Sequence, residues 1–182
     1  MTSVQTTQNS LLLNNLLEFY KKDNNLDIML SIINGESQIS LRIVDWFATN
    51  YSKQYYVVYS TLNDPRFKVY NDYKLKLRAY SKKRFDPFCR WERITIPYKN
   101  NSCIQTTIGQ LNFFKWALEN NVIDYIKNNY NEIELDMNNR NSTSKRRKLT
   151  NSNKTRKKRE ELSISASKTV HREEVEIVVK FN

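Results

Sequence analysis

Glycine, proline, cysteine and histidine are all scarce in this chain: its 182 residues include 2 Gly, 3 Pro, 2 Cys and 1 His. So few glycines argue against a glycine-rich phosphate-binding loop and against a barrel with glycine at its turns. Two cysteines and one histidine cannot form a four-ligand zinc site or a disulfide scaffold. No apolar run is long enough to cross a membrane, and the opening segment lacks the charged and apolar regions of a signal peptide. We therefore expect a soluble, intracellular protein with no membrane contact and no metal or cofactor.

Positive charge is concentrated in two segments of the chain, which has 30 Lys and Arg, 19 Asp and Glu and a net charge of +11. Residues 140–159 contain ten Lys and Arg and no acid, and residues 66–99 contain eleven Lys and Arg and three acids. The rest of the chain carries a net charge of −7. Basic segments on an acidic body indicate a polyanionic partner rather than a diffusely basic surface.

Hydrophobic periodicity predicts three helices in the first 53 residues. An amphipathic helix begins at Asn9 or Ser10, and a short apolar segment follows over 26–33. Asn34 and Gly35 form a good C-cap pair for that segment, and Ser40 is placed to cap a third helix.

Strand and helix patterns alternate in the middle of the chain. β-Branched and aromatic residues at 54–60 and 66–70 flank a turn and predict a hairpin. The same criteria predict a helix that begins at Asn71 or Asp72, followed by strands over 90–98 and 102–108. A further helix begins at Thr107 or Gly109. The segment 122–130 is predicted either to continue that helix or to form a second one.

These elements predict a small α+β fold, in which helices pack on a mixed or antiparallel sheet. A length of 182 residues suits one domain, and 22 aromatic residues provide area for its core. The last ten residues alternate like a strand, so the basic segment before them is expected to be tethered at both ends. The predicted parts are an N-terminal helical segment over 1–53, an α+β nucleic-acid-binding core over 54–136, a disordered basic linker over 137–172, and a strand over 173–182 that returns to the core.

Catalytic residues are not evident in the sequence. His171 lies in a charged segment without a nucleophile near it in a recognisable pattern, and we expect it on the surface. Cys89 and Cys103 lie near a predicted strand pair; buried structural thiols are favoured over a reactive or bridged pair. No two carboxylates are spaced as an acid–base pair. The sequence therefore favours a non-enzymatic protein.

Basic residues interleaved with aromatic ones predict a nucleic-acid interface, because cations neutralise phosphates and rings can stack on bases. The alternative is an ordinary solvated helix face. The bases at 145–148 and 154–159 fit a bipartite nuclear-localisation signal and equally a disordered DNA-binding arm. Trp116 is interpreted either as a core residue packed on Phe113 or Leu111, or as the edge of the interface beside Lys115. The complete predicted set is Lys74, Lys76, Arg78, Lys82, Lys83, Arg84, Arg90, Arg93, Lys115, Trp116, Lys145, Arg146, Arg147, Lys148, Lys154, Arg156, Lys157, Lys158 and Arg159.

Three stretches resemble a small basic protein family that is widespread in nucleocytoplasmic large DNA viruses, including giant viruses. They are ISLRIVDWFATNYSKQ (39–54), FKVYNDYKLKLRAYSKKRFDPFCRWERI (67–94) and TTIGQLNFFKWALENNVIDYI (106–126). The run from Phe85 to Arg90 is the most specific part. More distantly, the order of a strand, a helix, an R-x-E-R run and an F-K-W run is similar to the archaeal chromosomal protein of methanogens, a family that binds and bends DNA.

The resemblance implies sequence-independent binding of double-stranded DNA, in compaction or packaging of a large viral genome. It also implies a location in the virion core and in the host cell, either in a cytoplasmic viral factory or in the nucleus. A second interpretation is an adaptor of a viral transcription or translation complex that binds RNA or protein. Its basis is the N-terminal helical segment, where Phe19, Tyr20, Trp46 and Phe47 would form a groove for a viral protein partner.

Overall fold

The first part of the chain is helical, as the sequence predicts. The computed structural model describes residues 8–89, 92–99, 102–150 and 171–174. Helix α1 (Gln8–Lys21) is followed by α2 (Asn25–Asn34) and α3 (Leu41–Trp46). A π-helical turn (Phe47–Tyr51) then leads directly into the short helix α4 (Ser52–Gln54).

Local capping groups explain where several helices begin and end. Gly35 ends α2 in the left-handed conformation, at φ 76°, which glycine adopts without steric cost. The Ser40 hydroxyl accepts a hydrogen bond of 3.3 Å from the Ile43 amide at the start of α3. These two predicted caps are confirmed.

A short hairpin follows, formed by β1 (Val58–Tyr59) and β2 (Phe67–Lys68). The strands are antiparallel, with Val58 opposite Lys68. This hairpin is shorter than predicted, because Gln54 still belongs to α4 and Tyr56 has a left-handed conformation, at φ 51°.

Helix α5 (Val69–Phe85) begins before the predicted cap and contains a sharp kink at Ser81, at φ 65° and ψ 166°. Strands β3 (Arg93–Pro97) and β4 (Ser102–Thr107) pair in antiparallel fashion, as predicted. Thr107 caps α6 (Ile108–Glu119) by accepting a hydrogen bond of 3.1 Å from the Gln110 amide. The 122–130 segment forms a separate helix, α7 (Val122–Asn128).

The predicted disorder from residue 137 onward is wrong for residues 137–150. Helix α8 (Tyr130–Thr150) continues through them, although this stretch has few apolar residues. The chain then returns to the sheet: β5 (His171–Glu174) pairs antiparallel with β4, giving the order β3-β4-β5. Strand β5 begins two residues before the predicted strand over 173–182; residues 151–170 and 175–182 lie outside the described residues.

One hydrophobic core joins the N-terminal helices to the rest of the fold. Leu16 and Leu30 from the first helices belong to the same buried cluster as Phe85 and Phe113. The predicted boundary at residue 53 therefore separates no independent cores, and the predicted α+β class is confirmed. No helix in the described part of the chain is long and apolar enough to span a bilayer.

Candidate nucleic-acid interface

Helix α5 presents a basic side to solvent and an aromatic side to the core. Lys74 and Arg78, one helical turn apart, are exposed, and so is Lys82 beyond the kink. On the opposite side, Tyr73 and Phe85 are buried against α6. The aromatic residues of the basic segment thus hold the helix in place while its cations face water.

Two of the three acids in the 66–99 segment have internal partners. Oδ2 of Asp72 accepts a hydrogen bond of 2.6 Å from Nε1 of Trp116, and Oδ1 of Asp86 accepts one of 2.9 Å from the Phe88 amide. These carboxylates bind groups of the fold, and within the described part of the chain neither forms an ion pair with Lys74, Arg78 or Lys82.

Some cations outside α5 in the described part of the chain have acidic partners. Lys99 pairs with Asp27 at 2.7 Å, and Lys127 pairs with Asp124 at 3.2 Å. Among the residues that the structure describes, Lys74, Arg78, Lys82 and Arg93 form no ion pair. Arg93 is also exposed, on β3. The described cations without a carboxylate partner therefore include four of the predicted contact residues.

The turn after α5 is fixed by the start of α6. Nδ2 of Asn112 donates a hydrogen bond of 2.9 Å to the Arg84 carbonyl. Gly109 packs so closely that a Cβ atom there would lie 2.7 Å from the Asp86 carbonyl oxygen. The Phe85–Cys89 run, the most specific part of the family resemblance, is therefore a packed turn that sets the position of the residues around the kink.

A polar pocket of about 150 Å³ opens beside this turn. It is lined by Asn9, Lys83, Arg84, Glu92 and Ile108. The structure thus brings the predicted residues Lys83 and Arg84 together, with a carboxylate beside them. Lys76, by contrast, is half-buried within α5.

The predicted contact by Trp116 is wrong. Its side chain is only 3% exposed and packs against Tyr73 and Phe85, so the core interpretation is confirmed. Lys115 is directed toward α1, with its Nζ 5.5 Å from the centre of the Phe19 ring and 3.6 Å from Glu119.

The aromatic residues of the predicted partner groove in the N-terminal segment have partners within the fold, and two of the four, Tyr20 and Phe47, are buried. Phe47 is fully buried, and the Tyr20 hydroxyl donates a hydrogen bond of 2.6 Å to the Leu111 carbonyl. Nε1 of Trp46 donates one of 2.8 Å to Asp136 on α8. Phe19, which is half-buried, is covered by Lys115.

Asp136 attaches α8 to the N-terminal helices. Besides Trp46, it accepts a hydrogen bond of 3.2 Å from the Tyr55 hydroxyl and lies 3.4 Å from Arg140. Arg140 also stacks on the Trp46 ring at 4.9 Å. The backbone at the predicted contacts Lys145, Arg146, Arg147 and Lys148 is helical and continues α8; Arg90, Lys154, Arg156, Lys157, Lys158 and Arg159 lie outside the described residues.

Sequence reasoning missed a basic and aromatic groove at the start of α5. Two lysines flank the Tyr70 ring: the Nζ atoms of Lys53 and Lys74 lie 5.7 and 5.4 Å from its centre. Tyr56 and Lys68 line the same groove. The available signal was the Tyr55-Tyr56 pair beside Lys53, which we interpreted as part of a strand.

Groups with catalytic potential are few in the described residues. Cys89 and Cys103 are free thiols, and both are half-buried rather than fully buried as predicted. Burial, with a smaller contribution from the charge of Asp86, raises the pKa of Asp45 to about 7. No group of three or more His, Cys, Asp or Glu side chains in the described part of the chain is arranged to hold a metal ion.

Similarity to other proteins places the chain in a family. An uncharacterized protein of Acanthamoeba polyphaga mimivirus, L507, is 41% identical over 145 residues, which cover 75% of this chain and 56% of the relative. The chain thus matches little more than half the length of that protein. No solved structure matches the chain. The mimivirus relative confirms the predicted giant-virus origin of the family. A family model matches residues 2–179, so the chain belongs to DUF7197, a family of unknown function.

Proposed function

We propose that this protein binds DNA without enzymatic activity and largely without sequence preference, and that it compacts or packages the genome of a large DNA virus. The observation that carries the proposal is the exposed side of α5, where Lys74, Arg78 and Lys82 have no carboxylate partner among the described residues. An unpaired cation keeps its charge available for a phosphate, whereas a paired one must first lose its partner.

We propose that the cations of α5 contact the DNA backbone, because lysine and arginine neutralise phosphates whatever the base sequence. Lys74 and Arg78 lie one helical turn apart on the exposed side of α5, about 6 Å along the helix axis. The kink at Ser81 turns the chain, so Lys82 follows a different direction. Contacts of this kind position a protein on DNA but carry no sequence information.

A second basic element lies on α8, where the sequence places Lys145, Arg146, Arg147 and Lys148 in its last turns. We propose that these cations add backbone contacts and that Lys154, Arg156, Lys157, Lys158 and Arg159 extend them. Arg90 is proposed to contact phosphates together with the cations of the 66–99 segment. A virion-core location, with a cytoplasmic factory or the nucleus as the site in the host cell, belongs to the same proposal.

The similarity to the archaeal chromosomal protein remains part of this proposal. Its DNA bending is not carried over here, because Phe114 and Trp116 of the F-K-W run are core residues of this chain. The protein-adaptor alternative has lost its motivating feature, since the N-terminal aromatic residues have partners within the fold.

A salt titration tests the proposal. Contacts with about 6–10 phosphates give a slope of log affinity against log salt of roughly −5 to −9 on duplex DNA. Random-sequence duplexes measured by fluorescence anisotropy should show this slope with little variation between sequences. A slope near zero, or no binding at low salt, would contradict it.

A further inference from the structure

We propose that an unpaired nucleotide binds over the shallow groove between Tyr56 and Tyr70, whose volume is about 20 Å³, with its base stacked on the exposed ring of Tyr56 and its phosphates held by Lys53, Lys68 and Lys74. This inference rests on the proposed function and goes beyond it, because it assigns a second ligand class: single-stranded nucleic acid. Four features of the groove carry it.

The first feature is an exposed aromatic ring with cations around it. The side chain of Tyr56 is 66% exposed, although a ring of this size normally gains stability by burial. Tyr56 and Lys68 line one groove with Lys53 and Tyr70. Exposed rings beside lysines are the combination that single-strand binding proteins use, because every base has a face that can stack and every nucleotide has a phosphate.

The second feature is the fixed position of two of the cations. Lys53 comes from α4 and Lys74 from α5, yet both Nζ atoms lie within 5.7 Å of the centre of the Tyr70 ring. Cation–π attraction holds ammonium groups near a ring face, and neither lysine forms an ion pair within the described part of the chain. Tyr70 is therefore a positioning residue that gathers positive charge from two helices, while Tyr56 supplies the ring for the base.

The third feature is the backbone of Tyr56 itself. The residue occupies the left-handed position after α4, at φ 51°, and the Val57 amide donates a hydrogen bond of 3.2 Å to the Ser52 carbonyl across it. This is the helix-ending arrangement in which glycine is the usual residue. A tyrosine there is strained, and its exposed ring contributes little to the core. Strained residues of this kind cluster at functional sites.

The fourth feature is the position of the groove relative to the basic side of α5. Tyr70, Lys74 and Arg78 succeed one another at intervals of four residues, so they share one side of the helix. A strand whose base stacks on Tyr56 would continue along Lys74 toward Arg78 without leaving the basic surface.

The strain at Tyr56 makes a clean test available. Glycine adopts φ 51° without steric cost, so Tyr56→Gly should leave the melting temperature unchanged or raised while it removes the ring. The probe is a thymidine 12-mer with a central 2-aminopurine, whose fluorescence is quenched when it stacks on an aromatic ring. The same sequence as a duplex, and a uridine 12-mer with 2-aminopurine, complete the set.

We expect the wild-type protein to quench the single-stranded probe. Tyr56→Gly should abolish the quenching, weaken single-strand binding by about 5- to 100-fold, and change duplex affinity by less than about twofold. Tyr56→Phe, which keeps the ring, should retain quenching and affinity. Quenching of either the deoxyribose or the ribose probe supports the site. The probe that binds with the higher affinity shows whether the ligand is DNA or RNA.

Two results overturn the inference separately from the proposed function. If the wild-type protein binds duplex DNA with a steep salt slope but does not quench the probe, the stacking site is wrong and the duplex interface stands. The same holds if Tyr56→Gly binds and quenches like the wild type. If the wild-type protein binds neither probe, both proposals fail.

Discussion

Nε1 of Trp116 donates a hydrogen bond of 2.6 Å to Oδ2 of Asp72, which joins the centre of α6 to the first turns of α5. The bond satisfies an indole that is almost completely buried and holds the carboxylate away from the exposed lysines. Trp116→Phe should keep most of the aromatic packing but leave Asp72 without its donor. We expect a loss of roughly 1.5–3 kcal/mol in the free energy of unfolding, measured by urea denaturation.

Asp72→Asn separates the charge of this residue from its role as an acceptor. The amide oxygen still accepts from Trp116, so stability should change by less than about 1 kcal/mol. Removal of a negative charge from the basic helix should increase duplex affinity, and more so at low salt. A large loss of stability together with weaker DNA binding would show that the carboxylate supports the interface.

The exposed cations of α5 can be tested against a paired lysine elsewhere. Lys74→Gln combined with Arg78→Gln should weaken duplex binding for all sequences and make the salt slope shallower by about 2, which is about 0.9 for each lost phosphate contact. The melting temperature should change little, because both side chains are exposed.

Lys127→Gln is the matched control for that variant. Lys127 is exposed on α7 but pairs with Asp124 at 3.2 Å, so it has a partner within the fold. Its substitution should leave the slope within about 0.5 of the wild-type value. An effect of Lys127→Gln half as large as that of the double variant, for one charge removed against two, would mean that α5 has no special role and that only net charge matters.

Helix caps could be predicted from neighbouring residues in the sequence, whereas the orientation of individual side chains could not. Ser40 and Thr107 cap helices through contacts within three residues, so their sequence signals sufficed. The inward direction of Asp72 depends on Trp116, 44 residues away, and no local pattern contains it. Tyr56 was missed for a related reason, because a left-handed tyrosine contradicts its own local preference.

The extension of α8 was missed because polar residues without periodicity give no helical signal of their own. The structure anchors the first part of α8 through Asp136, which contacts Trp46, Tyr55 and Arg140. A long-range contact thus anchors a helix that the sequence alone would leave without regular structure.

Among the cations of α8, we expect Arg140 to stabilise the fold and the four at 145–148 to bind DNA. Replacement of Lys145, Arg146, Arg147 and Lys148 by Gln should make the duplex salt slope shallower by up to about 4 and leave the melting temperature nearly unchanged. Arg140→Gln should instead cost about 1 kcal/mol of stability, because it removes the contacts with Asp136 and Trp46. Calorimetry and the salt titration measure the two effects independently, and a reversal of the pattern would refute the assignment.

Stability should fall as the pH rises from about 4 to about 7, because of Asp45. Its pKa is raised from 3.8 to about 7, first by burial and then by Asp86, so the folded state binds a proton that the unfolded state has released in this range. The loss should be roughly 1–4 kcal/mol, at about 1.4 kcal/mol for each unit of pKa. Asp45→Asn should flatten this dependence and raise the melting temperature at pH 8 more than at pH 4. Identical pH profiles for the two proteins would rule out Asp45 as the group responsible.

The close packing of Gly109 against the turn after α5 should make an alanine there destabilising. The Cβ atom of an alanine there would lie 2.7 Å from the Asp86 carbonyl oxygen and 3.3 Å from that of Lys83. Both are backbone atoms, so α6 or the turn must move, at a cost of roughly 1–3 kcal/mol. Because Lys82 and Lys83 flank this turn, Gly109→Ala should also reduce duplex affinity, although it changes no charge.

Gly35→Ala provides the comparison for Gly109→Ala. Gly35 has open space around its Cβ position but a φ of 76°, so alanine there should cost about 1 kcal/mol through backbone strain alone. It lies at the end of α2, away from the basic segment in the chain, and should leave DNA affinity unchanged. If both variants lower affinity in proportion to stability, the loss reflects unfolding; if only Gly109→Ala does so, the packed turn positions the cations that follow α5.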